Sequence, residues 1–199
     1  MRTIHKHLIA TLTLTLVVGF APAQDAEYIG QDQCKVCHNK KPEGAQWTVW
    51  KDMKHAHAFE ALQSDAAKKI ATERGLTVPP HEAPECVKCH VTGYDLATES
   101  IPKKIKAEDS VQCETCHGPG SNHLADGRDV MFKKKTADEI DWTAHLMAVE
   151  EETCRKCHNE ESPTWNTEQF TKEDGSKVGF DFEQAKAIIA HPNPTKAKK

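Results

Sequence analysis

Four stretches of the chain repeat one pattern of chemistry-bearing residues: Cys34-Lys35-Val36-Cys37-His38, Cys86-Val87-Lys88-Cys89-His90, Cys113-Glu114-Thr115-Cys116-His117 and Cys154-Arg155-Lys156-Cys157-His158. Together they consume all eight cysteines of the 199 residues. Cys-x-x-Cys-His is the pattern of a c-type haem attachment site. The two thiols form thioether bonds to the porphyrin, and the adjacent His supplies the proximal axial ligand to iron. A single copy would equally suit a redox dithiol or half of a Cys₄ zinc site. Four copies in which the His follows at once predict four covalently bound haems, at sites 1 to 4 in chain order, with His38, His90, His117 and His158 as proximal iron ligands.

The distal ligand decides what each iron can do. A second His saturates it and suits electron transfer, whereas an open position admits a small molecule. With His5 and His7 set aside in an N-terminal leader, six further histidines remain: His55, His57, His81, His123, His145 and His191. Four saturated irons need four of them, so two have another role unless the chain ligates a neighbour's haem. His123 follows the tight turn of Gly118-Pro119-Gly120, and His191 stands at a predicted helix end; both are placed to ligate. His55 and His57 lie two positions apart, about 200° around a helix, so only one of them can point at a given haem. His55 shares a face with Phe59 and Leu62, and His57 with Trp50 and Met53.

The elements that must position these groups are helical. Residues 45–63 have helical patterning, with Trp47, Trp50, Met53, Phe59 and Leu62 among polar residues. A short helix over 65–74 ends at Gly75, and Pro79, Pro80 and Pro84 make an irregular entry to site 2. Residues 91–109 form a polar connector and 124–136 a loop, while 137–151 are predicted helical, carrying His145 among apolar neighbours. A last helix starts at Asp181 as N-cap, with Gln184 three residues on, and stops at His191 before Pro192. No strand is predicted. The expected fold is mainly α, with helices and long loops wrapped around four haems and little or no β.

Residues 1–23 are expected to be a cleaved signal peptide: a short basic start with Arg2 and Lys6, an apolar run from Leu8 to Phe20, and Ala21-Pro22-Ala23 as the small-x-small cleavage pattern. That run is too short to span a bilayer comfortably, so no transmembrane span is expected after cleavage. Residues 24–199 then form a single domain with a flexible tail over 193–199. Aromatic residues make up only 6% of the chain, a poor basis for a core of protein alone; haem planes supply the missing apolar surface. Taking Arg2 and Lys6 from the 26 basic residues leaves 24 against 30 acidic ones. Nucleic-acid binding, which needs a basic footprint, is thereby excluded. The expected location is the periplasm, or alternatively the cell exterior.

Several stretches together resemble the cytochrome c554 family of tetrahaem cytochromes. They are Tyr28-Ile29-Gly30 before Cys34; Trp50 with Lys54-His55-Ala56-His57-Ala58; Cys113 through Gly118-Pro119-Gly120-Ser121-Asn122-His123; and Phe180-Asp181-Phe182 with Ile188-Ile189-Ala190-His191-Pro192. The resemblance spans nearly all of the mature chain. It implies distal ligands that cross between segments: His123 opposite His38, His191 opposite His117, and His55 opposite His158. It also implies neighbouring haems in stacked and perpendicular pairs, and a five-coordinate iron at site 2. This chain has His145 and His81 to spare, however, and His145 is the expected ligand opposite His90, ahead of His81 and of an open iron.

The function that follows is electron transfer between redox partner proteins, since no catalytic constellation other than the haems stands out. Two alternatives remain open: a redox enzyme acting on a nitrogen or sulfur oxide at one open haem, and a subunit of an extracellular cytochrome filament or homo-oligomer.

Overall fold

The computed structural model describes residues 25–193. The expected signal peptide, and the expected flexible tail beyond Asn193, lie outside them. The chain is mainly α, as short helices joined by turns: α1 (Gln31–His38), α2 (Gln46–Trp50), α3 (Ala58–Ala61), α4 (Asp65–Glu73), α5 (Pro84–His90), α6 (Cys113–His117), α7 (Ser121–Met131), α8 (Glu151–Arg155) and α9 (Phe182–Ile188). Two-residue strands β1 (Phe170–Thr171) and β2 (Lys177–Val178) pair antiparallel, with Phe170 opposite Val178.

Local chemistry sets the clean boundaries. Ser64 caps α4 by accepting from the Ala67 N–H at 3.2 Å. Gly75, at φ 72°, closes the same helix. The Leu76 N–H reaches the Ala71 carbonyl and the Gly75 N–H the Thr72 carbonyl, the double bond of a Schellman end. Pro84 opens α5, where its missing N–H costs nothing. Asp181 caps α9 through the Gln184 N–H at 3.0 Å, as its sequence spacing predicts.

Three predicted elements are redrawn. The helix expected over 45–63 breaks into α2, a 3₁₀ turn over Lys54–His57, and α3. Its break is fixed by long-range bonds: the Trp50 indole donates to the Val111 carbonyl at 2.9 Å, and the Val111 N–H donates to His55 at 3.1 Å. Residues 121–131, expected mostly as loop, form α7, which packs on α1. Contact with α1 stabilises a helix where the local sequence is polar and carries Gly127. The helix expected over 137–151 is only a 3₁₀ turn, Ala137–Glu139, with a Thr136–Glu139 capping box. The Asp141 carboxylate captures the Thr143 N–H at 3.0 Å and hydroxyl at 2.7 Å, which ends the helix before His145.

The apolar core is small. Phe59, Leu62, Val87, Val91 and Ile105 form its buried cluster, joining α3 and α5 to the connector. The most completely buried large side chains are polar: Gln112, Thr92 and Ser110. They are knitted by hydrogen bonds. The Thr92 hydroxyl lies 2.8 Å from that of Thr115 and accepts from the Gln112 N–H at 2.7 Å, and the Ser110 hydroxyl accepts from the Phe59 N–H at 3.1 Å. This network fixes the stretch that carries site 3.

Candidate haem-binding sites

Every Cys-x-x-Cys-His motif falls on a helical turn. Sites 1 and 2 end α1 and α5, and site 3 is the whole of α6. Site 4 begins in α8 and continues its turn, with the His158 N–H on the Cys154 carbonyl at 2.9 Å. Positions i, i+3 and i+4 share one helix face, so both thiols and the imidazole of each motif project the same way. All eight thiols are unpaired and partly buried, the condition attachment requires.

Three of the four motif histidines meet a second imidazole. The rings of His38 and His123 have centroids 6.0 Å apart, His55 and His158 5.9 Å, and His117 and His191 5.8 Å. Imidazole–metal bonds are about 2 Å, and ring centres lie about 1 Å beyond the bonded nitrogen, so two imidazoles on opposite sides of one metal have centroids roughly 6 Å apart. The interplanar angles of 16°, 70° and 50° differ freely, as expected of rings that can rotate about a shared axis.

The electrostatics favour neutral rings, the form that offers a lone pair. His117 is pushed down to about 4, by burial first and then by His191, His123 and His38. Burial likewise lowers His55, with His158 adding to it, and lowers His158 itself. It also lowers His123 and His191.

Site 2 differs. The His90 Nδ1 lies against the Ala58 carbonyl, which orients the ring and leaves its other nitrogen free for a metal. Among the described residues, no histidine ring stands across from it as in the three pairs. His145, the ligand expected there, lies elsewhere: its Nε2 is 3.5 Å from the Asp126 carboxylate, beside His123. The predicted helix that was to aim it does not form. His81 packs edge-on against Phe59, with centroids 6.3 Å apart. His57 is exposed on the surface, between the Glu60 carboxylate and the Lys51 carbonyl, each at 3.2 Å.

Several supporting residues escaped the sequence pattern. Glu114, within the third motif, is 3% exposed. Its carboxylate accepts from the N–H groups of Ile29 at 2.9 Å, Gly30 at 2.8 Å and Gly120 at 2.7 Å. It thus ties the start of α1 to the Gly-Pro-Gly turn before His123. Gly118 in that turn has φ 76°, and a side chain there would strike Met147. The Gln112 side-chain nitrogen is buried without a partner beside the Cys113 attachment point, a donor suited to a haem group. Nothing in a local pattern marks a motif's variable positions, or the residue before it, as buried.

The thiols also show how the sites adjoin. Cys34 of site 1 lies beside Cys113 of site 3, and Cys89 of site 2 beside Cys157 of site 4. Burial, then Cys154 of site 4, push Cys116 of site 3 up to about 11. Adjacency therefore runs 1, 3, 4, 2. No helix among the described residues is long and apolar enough to cross a membrane.

Short helices that present thiols and imidazoles to shared spaces, with little protein core between them, define a multihaem c-type cytochrome. The family model described as cytochrome c554 and c-prime matches residues 33–118, which include the first three motifs. The chain is 32% identical over 195 residues to cytochrome c-554 of Nitrosomonas europaea, a match that covers 89% of this chain and 79% of that protein. It also resembles the solved reduced state of cytochrome c554 from Nitrosomonas europaea, with a TM-score of 0.50 and 26% identity, over 88% of this chain and 83% of that one. The chain belongs to the cytochrome c554 family. It binds haem c covalently and serves electron transfer.

Proposed function

We propose that the chain is a tetrahaem electron carrier, exported by residues 1–23 to the periplasm, that passes electrons between redox partner proteins. The observation that carries this reading is the set of three facing imidazole pairs, each joining one motif to a remote segment at the separation of two axial ligands. Each haem, when bound, supplies a one-electron iron couple whose potential the surrounding residues tune. His38 with His123, His117 with His191 and His158 with His55 would hold three irons, each between two imidazoles. Burial favours the neutral form of His55, His117, His123, His158 and His191, and their fixed positions would leave little ligand rearrangement for a change of oxidation state. The adjacency of the attachment thiols makes 1, 3, 4, 2 the order of sites along the path, with sites 1 and 2 at its ends.

At site 2 we assign His90 alone to the iron, with its distal position open. The missing imidazole there favours a second role, binding of a small molecule at one iron. The decisive experiment combines the mass of the mature protein with carbon monoxide titration of its reduced form. Loss of residues 1–23, four haem masses and one carbon monoxide bound per protein are expected. Fewer haems would overturn the tetrahaem reading. Uptake of none would show that site 2 is closed, and uptake of more than one would break the assignment of a facing pair.

A further inference from the structure

One side chain touches two of the sites at once. Gln46, half-buried at the first position of α2, points its Oε1 at the His38 Nδ1, 3.0 Å away. Its Nε2 donates to the Pro192 carbonyl at 2.9 Å. His38 belongs to site 1. Pro192 directly follows His191, whose ring faces His117 of site 3.

The two bonds determine each other. A proline carbonyl can only accept, so the amide nitrogen of Gln46 must face Pro192 and its oxygen must face His38. An amide oxygen can only accept in turn, so the His38 Nδ1 must carry the proton. That leaves Nε2 with the lone pair a metal needs. A carbonyl 146 positions away thus dictates the tautomer of a proximal ligand, through one amide. The backbone before Gln46 is built to aim it: Gly44 at φ 100° and Ala45 at φ 51° place two successive residues in the left-handed region, uncommon for a residue with a Cβ.

We propose that Gln46 is a positioning residue shared by sites 1 and 3, fixing the tautomer and basicity of His38 and anchoring the segment that carries His191. This rests on the tetrahaem reading above. Hydrogen bonding from the outer nitrogen of a ligating imidazole makes the ligand a stronger donor, which favours oxidised iron. Gln46 therefore biases site 1 toward the oxidised state while it holds a ligand of its neighbour in place.

Gln46→Glu and Gln46→Ala separate the two halves of this role in the haem-loaded protein. Glutamate keeps and strengthens the acceptor for His38 but cannot donate to Pro192; alanine removes both bonds. Redox titration followed by electron paramagnetic resonance reads each site, with the site 1 signal identified as the one altered in His123→Ala. In Gln46→Glu, the site 1 equilibrium should move about tenfold toward oxidised iron, which for one electron is about 59 mV. In Gln46→Ala it should move the other way, and both variants should change the site 3 signal. A merely structural role would shift both variants in the same direction. Shifts of one sign, an unmoved site 1, or an unchanged site 3 signal in both variants overturn the proposal. If Gln46→Ala does not take up haem, the downward shift in Gln46→Glu decides alone. Haem count by mass, measured first, separates failure of the tetrahaem reading from failure of this one.

Discussion

Sites 1, 3 and 4 share their five-residue pattern with site 2, yet the surroundings differ. Around His38, His117 and His158 the fold brings an imidazole from a remote segment. Around His90 it brings the Ala58 carbonyl on one side, next to the apolar cluster of Phe59, Leu62 and Val87. Site 2 thus sits on the main apolar cluster, while His158 of site 4 stacks on the buried Phe180 and site 3 is flanked by the buried polar network of Gln112, Thr92 and Ser110. The difference teaches that, on the proposed reading, ligation would join segments that share no apolar cluster. At site 2 the apolar cluster joins α3 to α5 directly, whereas the three facing pairs would each join a motif to a remote segment.

The largest effects come from removing a crossing ligand. His191→Ala releases the C-terminal segment from site 3 and opens its iron. A second carbon monoxide per protein and a lowered unfolding midpoint are expected, and an unchanged stoichiometry would erase the distinction between site 3 and site 2. Glu114→Gln comes next. Three backbone donors converge on a buried carboxylate, and replacing one oxygen with an amide nitrogen turns a donor toward a donor. With charged hydrogen bonds at about 1.5–3 kcal/mol each, the cost is roughly 3 kcal/mol, read from denaturant unfolding of the haem-loaded protein.

Acid sharpens the comparison in smaller steps. His117 is held near 4, against 6.5 for an unperturbed ring, so between those values the unfolded chain takes up a proton that the folded chain refuses. Stability therefore rises with pH through this window and is lost as pH falls from about 6.5 toward about 4. For the chain before haem is bound, the denaturant midpoint should fall over the same range, and a midpoint flat down to pH 3 would contradict it. The smallest effect is expected of His145→Ala. His145 is 43% exposed beside Asp126, so its loss should change stability by less than about 0.5 kcal/mol and leave carbon monoxide uptake unaltered.

What was legible in the sequence follows the range of the interactions. Attachment residues are local, since thiols three apart and an imidazole four from the first share a helix face whatever the rest of the chain does. The caps of α4 and α9 are equally local, and Ser64, Gly75 and Asp181 act as their types suggest. The facing pairs are not local. Counting histidines left them open, and only the resemblance carried by the Cys113–His123 stretch and the C-terminal segment suggested which belonged together. The apolar neighbours of His145 imitate a helix that Asp141 terminates. The break at 51–53 and the length of α7 depend on partners from elsewhere, Val111 and α1, which no local pattern announces.

The facing pairs also carry a consequence for how the molecule is made. His38 and His123 are 85 positions apart, His55 and His158 are 103, and His117 and His191 are 74. At ribosomal rates of about 5–20 residues per second, His191 emerges roughly 4–15 seconds after His117. Until it does, the proposed pair at site 3 would lack its second imidazole. The pair at site 1 can meet once His123 is made and the pair at site 4 once His158 is, so the proposed pair at site 3 would be the last of the three to close, with His191 as its clasp.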